Sequence, residues 1–256
     1  MYFNDVHIIL YLIIAVIGFI VGKFIAWCNE CFTEEKKIFS KDFFKANKEG
    51  FENNYILMCL TAILYVALLY KFGIKSELYK NLDLIKFLIL TPMLLSAFFV
   101  DLKHRIIPNR LNLTIFETGL ILTFLYGINN INIAKDMLLG MLTGAGIFIG
   151  ITLLGGLIAG KEAMGLGDVK FMGAVGLFFG VGTIAEISLL AFFIAAILSI
   201  LILAIRAIKK EKDEYIPFGP FLVLASIFCM FAPTNTVFLA FFGFCKMLSN
   251  KLLGIG

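Results

Sequence analysis

Apolar residues fall along the chain in eight long runs, and most polar residues lie in the intervals between them. Most runs approach the roughly 20 residues that an α-helix needs to cross a bilayer. The pattern therefore predicts an all-α, polytopic membrane helix bundle of about eight transmembrane helices. Gly180-Val-Gly182 predicts a tight turn between the sixth and seventh runs. The runs cover residues 7–27, 55–72, 84–101, 111–128, 134–159, 169–182, 183–206 and 217–245.

Composition supports a membrane protein. The residues are 61% hydrophobic and only 16% charged, whereas soluble domains are about 45–50% apolar and about 25% charged. The net charge of +4 is small, and most basic residues lie between the apolar runs. This pattern reports the orientation of the helices in the membrane and does not indicate a nucleic-acid surface. We therefore expect a single integral membrane domain over residues 1–256 and no nucleic-acid partner.

Lysine and arginine positions predict the orientation of the helices. With the N-terminus outside, 15 of the 22 basic residues lie on the cytoplasmic side and 7 on the outer side. The positive-inside rule favours this arrangement. The loops that follow the odd-numbered runs are then predicted to be cytoplasmic.

The most extensive hydrophilic segment lies in the first of these loops, within residues 28–54. Lysine and acidic residues there alternate with Ile38, Phe39, Phe43 and Phe44 at helical spacing. This pattern is typical of a short amphipathic helix that lies on the membrane surface. The loop is too short to form a domain with its own core.

Two acidic residues stand at the predicted cytoplasmic ends of apolar runs. Asp101 ends the third run, and Asp168 begins the sixth within a glycine-bearing interruption. Ionisable residues at membrane-spanning segments are costly and are functional candidates. Each has a structural alternative, because Asp168 fits a helix N-cap and Asp101 fits an interfacial partner of Lys103 or Arg105. The shared Asp-x-Lys pattern and the common predicted side favour a functional pair.

A pair of close carboxyl groups has a defined chemistry. Two such groups do not both ionise easily, so they share one proton and titrate as a unit. The ionised group can then accept a proton from water that attacks an amide, while the protonated group donates to the carbonyl oxygen. This is the chemistry of aspartic proteases.

Three motifs together resemble the prepilin leader peptidases of type IV pilus and competence systems, which belong to the Gly-x-Gly-Asp intramembrane aspartyl proteases. They are Asp101-Leu-Lys-His-Arg-Ile-Ile-Pro-Asn109, Glu162-Ala-Met-Gly-Leu-Gly-Asp-Val-Lys170 and Ile216-Pro-Phe-Gly-Pro-Phe-Leu222. The resemblance implies that Asp101 and Asp168 are the catalytic pair. It further implies removal of a basic leader from prepilins or pseudopilins at the cytoplasmic face of the inner membrane, with cleavage after a glycine.

The remaining residues of the motifs are candidates for substrate binding or for tuning the protonation of the pair. Lys103 and Lys170 fit this role or contact with lipid phosphate equally well. Arg105 is a candidate partner for Glu162 or for an acidic substrate group. Gly165 and Gly167 are expected to let a substrate backbone approach Asp168.

The first loop departs from the family pattern. Many members carry two Cys-x-x-Cys pairs there, whereas this chain has only Cys28-Asn-Glu-Cys31. Two thiolates do not complete a tetrahedral zinc site, so we expect no metal site and no cofactor for proteolysis. Many members also methylate the new N-terminus with S-adenosylmethionine, and whether this chain does so stays open.

Two other functions compete with proteolysis. Glycine-broken helices and polar residues in a multispan bundle also suit a transporter. That alternative predicts two similar halves, and the chain has no evident internal repeat. A non-catalytic scaffold for pilus assembly would not need both aspartates.

Overall fold

The structure is a computed structural model that describes residues 2–3, 6–33, 55–75, 77–159, 164–209 and 216–252. Two short strands, β1 (Tyr2–Phe3) and β2 (Val6–His7), pair antiparallel just before the first helix. The rest of the described chain is dominated by helices, which confirms the all-α prediction. They are α1 (Ile8–Thr33), α2 (Tyr55–Phe72), a 3-10 helix (Leu78–Asn81), α3 (Leu82–His104), α4 (Asn109–Asn129), α5 (Ile131–Ala159), α6 (Leu166–Lys209), α7 (Gly219–Phe231) and α8 (Thr236–Leu252).

Within the described segments, six helices are long and apolar enough to cross a membrane: α1 to α6. The pair α7 and α8 would add a seventh span if it is counted as one. Large aliphatic and aromatic side chains remain exposed on most of these helices, as expected where lipid rather than water surrounds the bundle. The protein is therefore a multi-pass membrane protein.

Helix α6 reverses direction at Gly180, which has φ 74° and ψ 178°. The contacts of Gly144 on α5 establish the reversal. A Cβ at Gly144 would overlap the carbonyl oxygen of Met172, before the break, and would lie 3.1 Å from Ile184 Cγ1, after it. A straight helix would separate these two residues by about 18 Å along its axis. The predicted turn is therefore present, and α6 forms two antiparallel halves.

The eighth apolar run was predicted as a single span, and the structure differs there. Helices α7 and α8 are separated by Ala232–Asn235 and are bent by 104°. Pro233 has no N–H to continue the helix, and Asn235 adopts a left-handed φ of 67°. The 13 residues of α7 reach only about 20 Å, which is less than the hydrocarbon core of a bilayer.

The bundle has two polar ends, which we name after the residue of α3 found at each. The Asp101 end contains the end of α3 and the first residues of α4, α6 and α7. The Asp83 end contains the start of α3, the end of α4 and the reversal of α6. A buried apolar core, which includes Leu94, Ile115 and Val175, lies between these ends. The predicted amphipathic helix of residues 28–54 lies largely outside the described residues.

Candidate active site

Asp101 lies in the last turn of α3 and is 4% exposed. Its Oδ2 accepts a hydrogen bond of 2.9 Å from the backbone N–H of Gly219, at the first residue of α7. The N–H groups of a first helical turn have no partner within their own helix, so α7 offers Asp101 a ready donor. The turn is closed by Arg105, whose N–H donates to the Asp101 carbonyl oxygen at 2.8 Å and whose φ is 58°.

Gly219 is a positioning residue that the sequence interpretation missed. A Cβ at this position would lie 2.5 Å from Asp101 Oδ2, which is too close for any side chain. Gly219 lies in the third motif of the family resemblance, Ile216-Pro-Phe-Gly-Pro-Phe-Leu222, but was not among the candidate site residues. A Gly-Pro pair at the start of a helix was the available signal, because proline is favoured at a first turn and glycine permits close approach.

Asp168 is the third residue of α6 and is half-buried. It therefore lies inside the first turn, so the alternative interpretation as the N-cap residue is wrong. Its N–H donates to the carbonyl oxygen of Gly165 at 3.1 Å. The carbonyl oxygen of Gly167 accepts a hydrogen bond of 3.1 Å from Nδ2 of Asn112, on α4. Helix α4 thus fixes the turn that presents Asp168.

The structure brings Asp101 and Asp168 to the same end of the bundle, where their carboxyl groups interact electrostatically. Their hydrogen-bond and charge partners are Gly219 for Asp101 and the opposing acid for Asp168. No lysine or arginine of the described chain pairs with either carboxylate. Two poorly solvated acids that interact in this way can hold one shared proton.

The basic residues of the two motifs lie at the surface of the structure. Lys103, Arg105 and Lys170 are exposed. The Lys170 amine donates to Asn109 Oδ1 at 3.0 Å, so it ties α6 to α4. The predicted tuning of the acids by these cations is untested and stays a prediction. Glu162, the predicted partner of Arg105, lies outside the described residues.

The two glycines before Asp168 are not required by local packing among the described residues. A Cβ would lie 3.7 Å from Asp168 Oδ2 at Gly165 and 3.5 Å from the Ile107 carbonyl oxygen at Gly167. Both distances are ordinary contacts, and neither glycine has a positive φ. The space they leave beside Asp168 is consistent with the predicted approach of a substrate backbone.

A groove of about 490 Å³ lies between α4, α5 and the first half of α6, and neither Asp101 nor Asp168 is among the residues that line it. Its polar side chains are Asn109, Asn112 and Lys170, and its other lining residues are apolar. Cys28 and Cys31 both lie buried in α1. Over the part of the chain that the structure describes, no group of three or more His, Cys, Asp or Glu residues could hold a metal ion.

The fold and the site together are those of a polytopic α-helical membrane protein in which two carboxyl groups interact at one end of the helix bundle. Residues 88–203 match the type IV leader peptidase family. The match covers a little less than half of the chain. The matched segment contains α4, α5 and most of both α3 and α6, and therefore both acids. The resemblance inferred from the motifs is thereby confirmed.

Curated relatives support the same assignment. The prepilin leader peptidase/N-methyltransferase of Aeromonas hydrophila is 30% identical over 166 residues, which are 65% of this chain and 53% of the relative. The protein of that name from Xanthomonas campestris is 30% identical over 167 residues, 65% of this chain and 54% of the relative. The one from Legionella pneumophila is 32% identical over 142 residues, 54% of this chain and 47% of the relative. The match spans about half the length of each relative. No solved structure matches the chain.

Proposed function

We propose that this chain is a membrane aspartyl endopeptidase that removes the leader peptide of type IV prepilin-like proteins. The observation that carries the proposal is the pairing of Asp101 with Asp168, two acids from distant parts of the matched segment that interact without a basic partner among the described residues. Poorly solvated acids that interact in this way are candidates for a functional site. The match to a peptidase family favours this function over the transporter alternative.

The two acids divide the chemistry of amide hydrolysis between them. The ionised carboxylate accepts a proton from water as the water oxygen bonds to the carbonyl carbon. The protonated carboxyl group donates to the carbonyl oxygen, and the tetrahedral intermediate forms. The C–N bond then breaks as a carboxyl proton passes to the departing amine. The Gly219 N–H holds Asp101 Oδ2, which leaves Oδ1 for the reaction.

The proposed substrate is a prepilin or pseudopilin with a basic leader, a glycine before the cut and an apolar segment after it. The printed names of the relatives support prepilins as substrates. The positive-inside rule supports a cytoplasmic site with the N-terminus outside, because the Asp101 end coincides with loops rich in lysine and arginine. Gly165 and Gly167 provide room beside Asp168 for an extended backbone.

Cleavage in cells tests the proposal. The chain is co-expressed with a prepilin, and the size shift of the substrate is compared for wild type, Asp101→Asn and Asp168→Asn at matched membrane levels. Each amide is isosteric but has no ionisable proton, so we expect cleavage to fall by at least about 100-fold. Asp136→Asn is the matched control, because the amide oxygen can still accept the Val181 N–H. Wild-type cleavage by either active-site variant would contradict the aspartyl mechanism.

N-methylation of the new N-terminus is a second candidate activity, favoured by the names of the relatives. The groove between α4, α5 and α6 does not fit S-adenosylmethionine. It offers three polar side chains, which are too few to hydrogen-bond the buried amino-acid group, ribose hydroxyls and adenine of that cofactor. No step of the proposed peptidase reaction involves that cofactor. Mass spectrometry of the mature substrate tests for methylation, because a methylated N-terminus is heavier by the mass of one CH₂ group.

A further inference from the structure

Helix α7 is the shortest α-helix of the described chain, and it is the helix that contacts Asp101. Its 13 residues extend over about 20 Å. Residues 216–218, which precede it, are not helical, and the chain leaves it through the bend of 104° that leads to α8. The flanking chain therefore does not continue the axis of α7. Its position along that axis depends on its contacts with other helices.

A charged side chain contacts α7 at each of its ends. At the N-terminal end, the N–H of Gly219 donates to Asp101 Oδ2 at 2.9 Å. At the C-terminal end, the carbonyl oxygen of Met230 accepts a hydrogen bond of 2.5 Å from Nζ of Lys71, in the last turn of α2. The first N–H groups and the last carbonyl groups of a helix have no partner within that helix. Both contacts therefore use groups that α7 does not need for its own hydrogen bonds.

The signs of the two charges match the dipole of α7. A helix N-terminus favours an anion and a helix C-terminus favours a cation. Asp101 of α3 and Lys71 of α2 meet these two preferences. The two contacts are separated by the helical rise from Gly219 to Met230, which is about 16 Å. A shift of α7 along its axis would weaken at least one of them.

We propose that Lys71 is a positioning residue for the active site, and that it acts through α7. Lys71 holds the C-terminal end of α7, and α7 holds the N–H of Gly219 against Asp101. The inference rests on the proposed peptidase function and adds a residue to it. Packed helices shift by about 1–2 Å in conformational transitions. Because a displacement of about 1 Å at a catalytic group lowers the rate by roughly 100-fold, even a partial shift of α7 should be measurable.

Apolar packing is the competing explanation for the position of α7. The helix buries residues such as Leu222 and Val223 against its neighbours. Hydrophobic burial is non-directional, so it resists separation of the helices more strongly than a small axial shift. A hydrogen bond depends on both distance and angle, and therefore fixes the position along the axis. If packing alone positioned α7, removal of Lys71 would leave the reaction unchanged.

Lys71 has two other contacts, which the experiment must separate from the one with α7. Its ammonium group interacts electrostatically with Asp83, and Nζ lies 5.1 Å from the centroid of the Phe72 ring. Neither of these residues contacts Asp101. The hydrogen bond to Met230 is the contact that connects Lys71 to a helix whose other end meets the active site.

The first experiment removes the ammonium group. Peptidase in nanodiscs cleaves a synthetic prepilin peptide, and kcat and KM are measured separately. Lys71→Met should lower kcat about 10-fold and leave KM within about twofold of the wild type, because Lys71 does not contact the substrate. Lys71→Arg should restore most of kcat, since a guanidinium group keeps the charge and can donate to the same carbonyl. Lys71→Met with wild-type kcat would overturn the inference.

Lys135→Met is the matched control for the loss of a charge. Lys135 is an exposed lysine in the first turn of α5, and it has no hydrogen bond or ion pair within the part of the chain that the structure describes. Its removal should leave kcat and KM unchanged. An equal fall of kcat in Lys135→Met and Lys71→Met would overturn the proposal, because the loss would then reflect surface charge and not the contact with α7.

The second experiment tests whether the effect passes through α7. In Gly219→Ala the contact between α7 and Asp101 is already displaced, so the addition of Lys71→Met should lower kcat by less than about twofold further. A double variant whose loss equals the product of the two single losses would show that Lys71 acts independently of α7. Asp83→Asn should leave kcat unchanged. A loss in Asp83→Asn equal to that in Lys71→Met would assign the effect to Asp83 and overturn the proposal.

Two further outcomes separate this inference from the proposed function. Failure of the wild type to cleave the peptide would contradict the peptidase function itself. A lower melting temperature for Lys71→Met, with wild-type kcat below the transition, would make Lys71 a purely structural residue. That result would overturn only the positioning role and leave the peptidase function intact.

Discussion

The two polar ends of the bundle use acidic residues in opposite ways. At the Asp83 end, Asp83 Oδ1 lies 3.2 Å from Lys86 Nζ and accepts a hydrogen bond of 2.7 Å from the Tyr126 hydroxyl. Asp136 accepts from the N–H of Val181 at 3.3 Å. Every one of these acids is matched by a cation or a donor that offsets its charge. This end is organised for stability.

At the Asp101 end the two acids interact with each other and not with a cation of the described chain. Asp101 is buried and has the Gly219 N–H, while Asp168 has the charge of Asp101 as its neighbour. Asp83 has this compensation although its side chain is 54% exposed, whereas Asp101 is 4% exposed and no cation of the described chain pairs with it. A buried acid without a compensating cation lowers stability, and such arrangements are concentrated at functional sites. The contrast therefore distinguishes a structural acid from a reactive one within the same chain.

The contrast is tested most strongly at Gly219. In Gly219→Ala the added methyl would lie 2.5 Å from Asp101 Oδ2, so the acid must move. We expect kcat/KM for prepilin cleavage to fall by about 100-fold, since a displacement of about 1 Å has effects of this order. The measurement is cleavage by purified protein at matched concentration.

Gly182→Ala serves as the control for this prediction. Gly182 belongs to the reversal of α6, and nothing lies within 4 Å of its Cβ position. Its activity should stay within about twofold of the wild type. An unchanged rate in Gly219→Ala would show that the contact with α7 does not position Asp101.

The second prediction concerns packing near the Asp83 end. A Cβ at Gly176 would overlap the carbonyl oxygen of Gly140, so Gly176→Ala should force α5 and α6 apart. We expect a loss of about 1–3 kcal/mol in the free energy of unfolding, measured by denaturation in detergent. The rate of cleavage below the melting temperature should change little, because both acids lie at the other end.

Gly150→Ala provides the matched control on α5. Nothing lies within 4 Å of a Cβ there, so the substitution should be neutral or stabilising by up to about 1 kcal/mol through helix propensity. Equal stability of Gly176→Ala and Gly150→Ala would contradict the close approach of α5 and α6. A large loss of activity in Gly176→Ala at full stability would contradict the division of roles between the two ends.

The sequence predicts the helices well, because membrane-spanning helices are local and continuous in hydropathy. The prediction for residues 55–72 coincides with α2, and the predicted turn at Gly180-Val-Gly182 coincides with the reversal of α6. The prediction fails within the last run, where Ala232-Pro-Thr-Asn235 interrupts the apolar residues and the chain bends by 104°. This short polar stretch contains a proline and an asparagine, which are turn signals, but a single span over residues 217–245 passes over it.

Glycine spacing predicts close packing only in part. Gly18 and Gly22 lie against the backbone of α2, where a Cβ would be 2.8 Å and 2.6 Å from Cα atoms. Gly146 and Gly150 have the same spacing but face open space. The four-residue period identifies glycines that share a helix face, and the partner helix decides which face is used.

The candidate acids were identifiable from sequence, but their supports were not. Asp101 and Asp168 stand out as charges at the ends of apolar runs. The supporting contacts join residues 118 positions apart for Gly219 and Asp101, and 55 apart for Asn112 and Gly167. Local pattern contains no information about such pairs. Asn112 in particular reads as an ordinary polar residue near a helix start until the fold places it beside Gly167.

The smallest expected effect concerns the hydrogen bond from Tyr126 to Asp83. Tyr126→Phe removes one hydroxyl that donates to this carboxylate and should lower the free energy of unfolding by about 1 kcal/mol, with kcat/KM unchanged. Tyr65→Phe is the paired measurement, since the Tyr65 hydroxyl donates at 2.8 Å to the neutral carbonyl of Leu88. This substitution should lower the free energy of unfolding by less than Tyr126→Phe does, because hydrogen bonds to charged groups are the stronger ones. If Tyr126→Phe were harmless to stability yet slowed cleavage, Asp83 would belong to the reactive acids, and the distinction between the two ends of the bundle would fail.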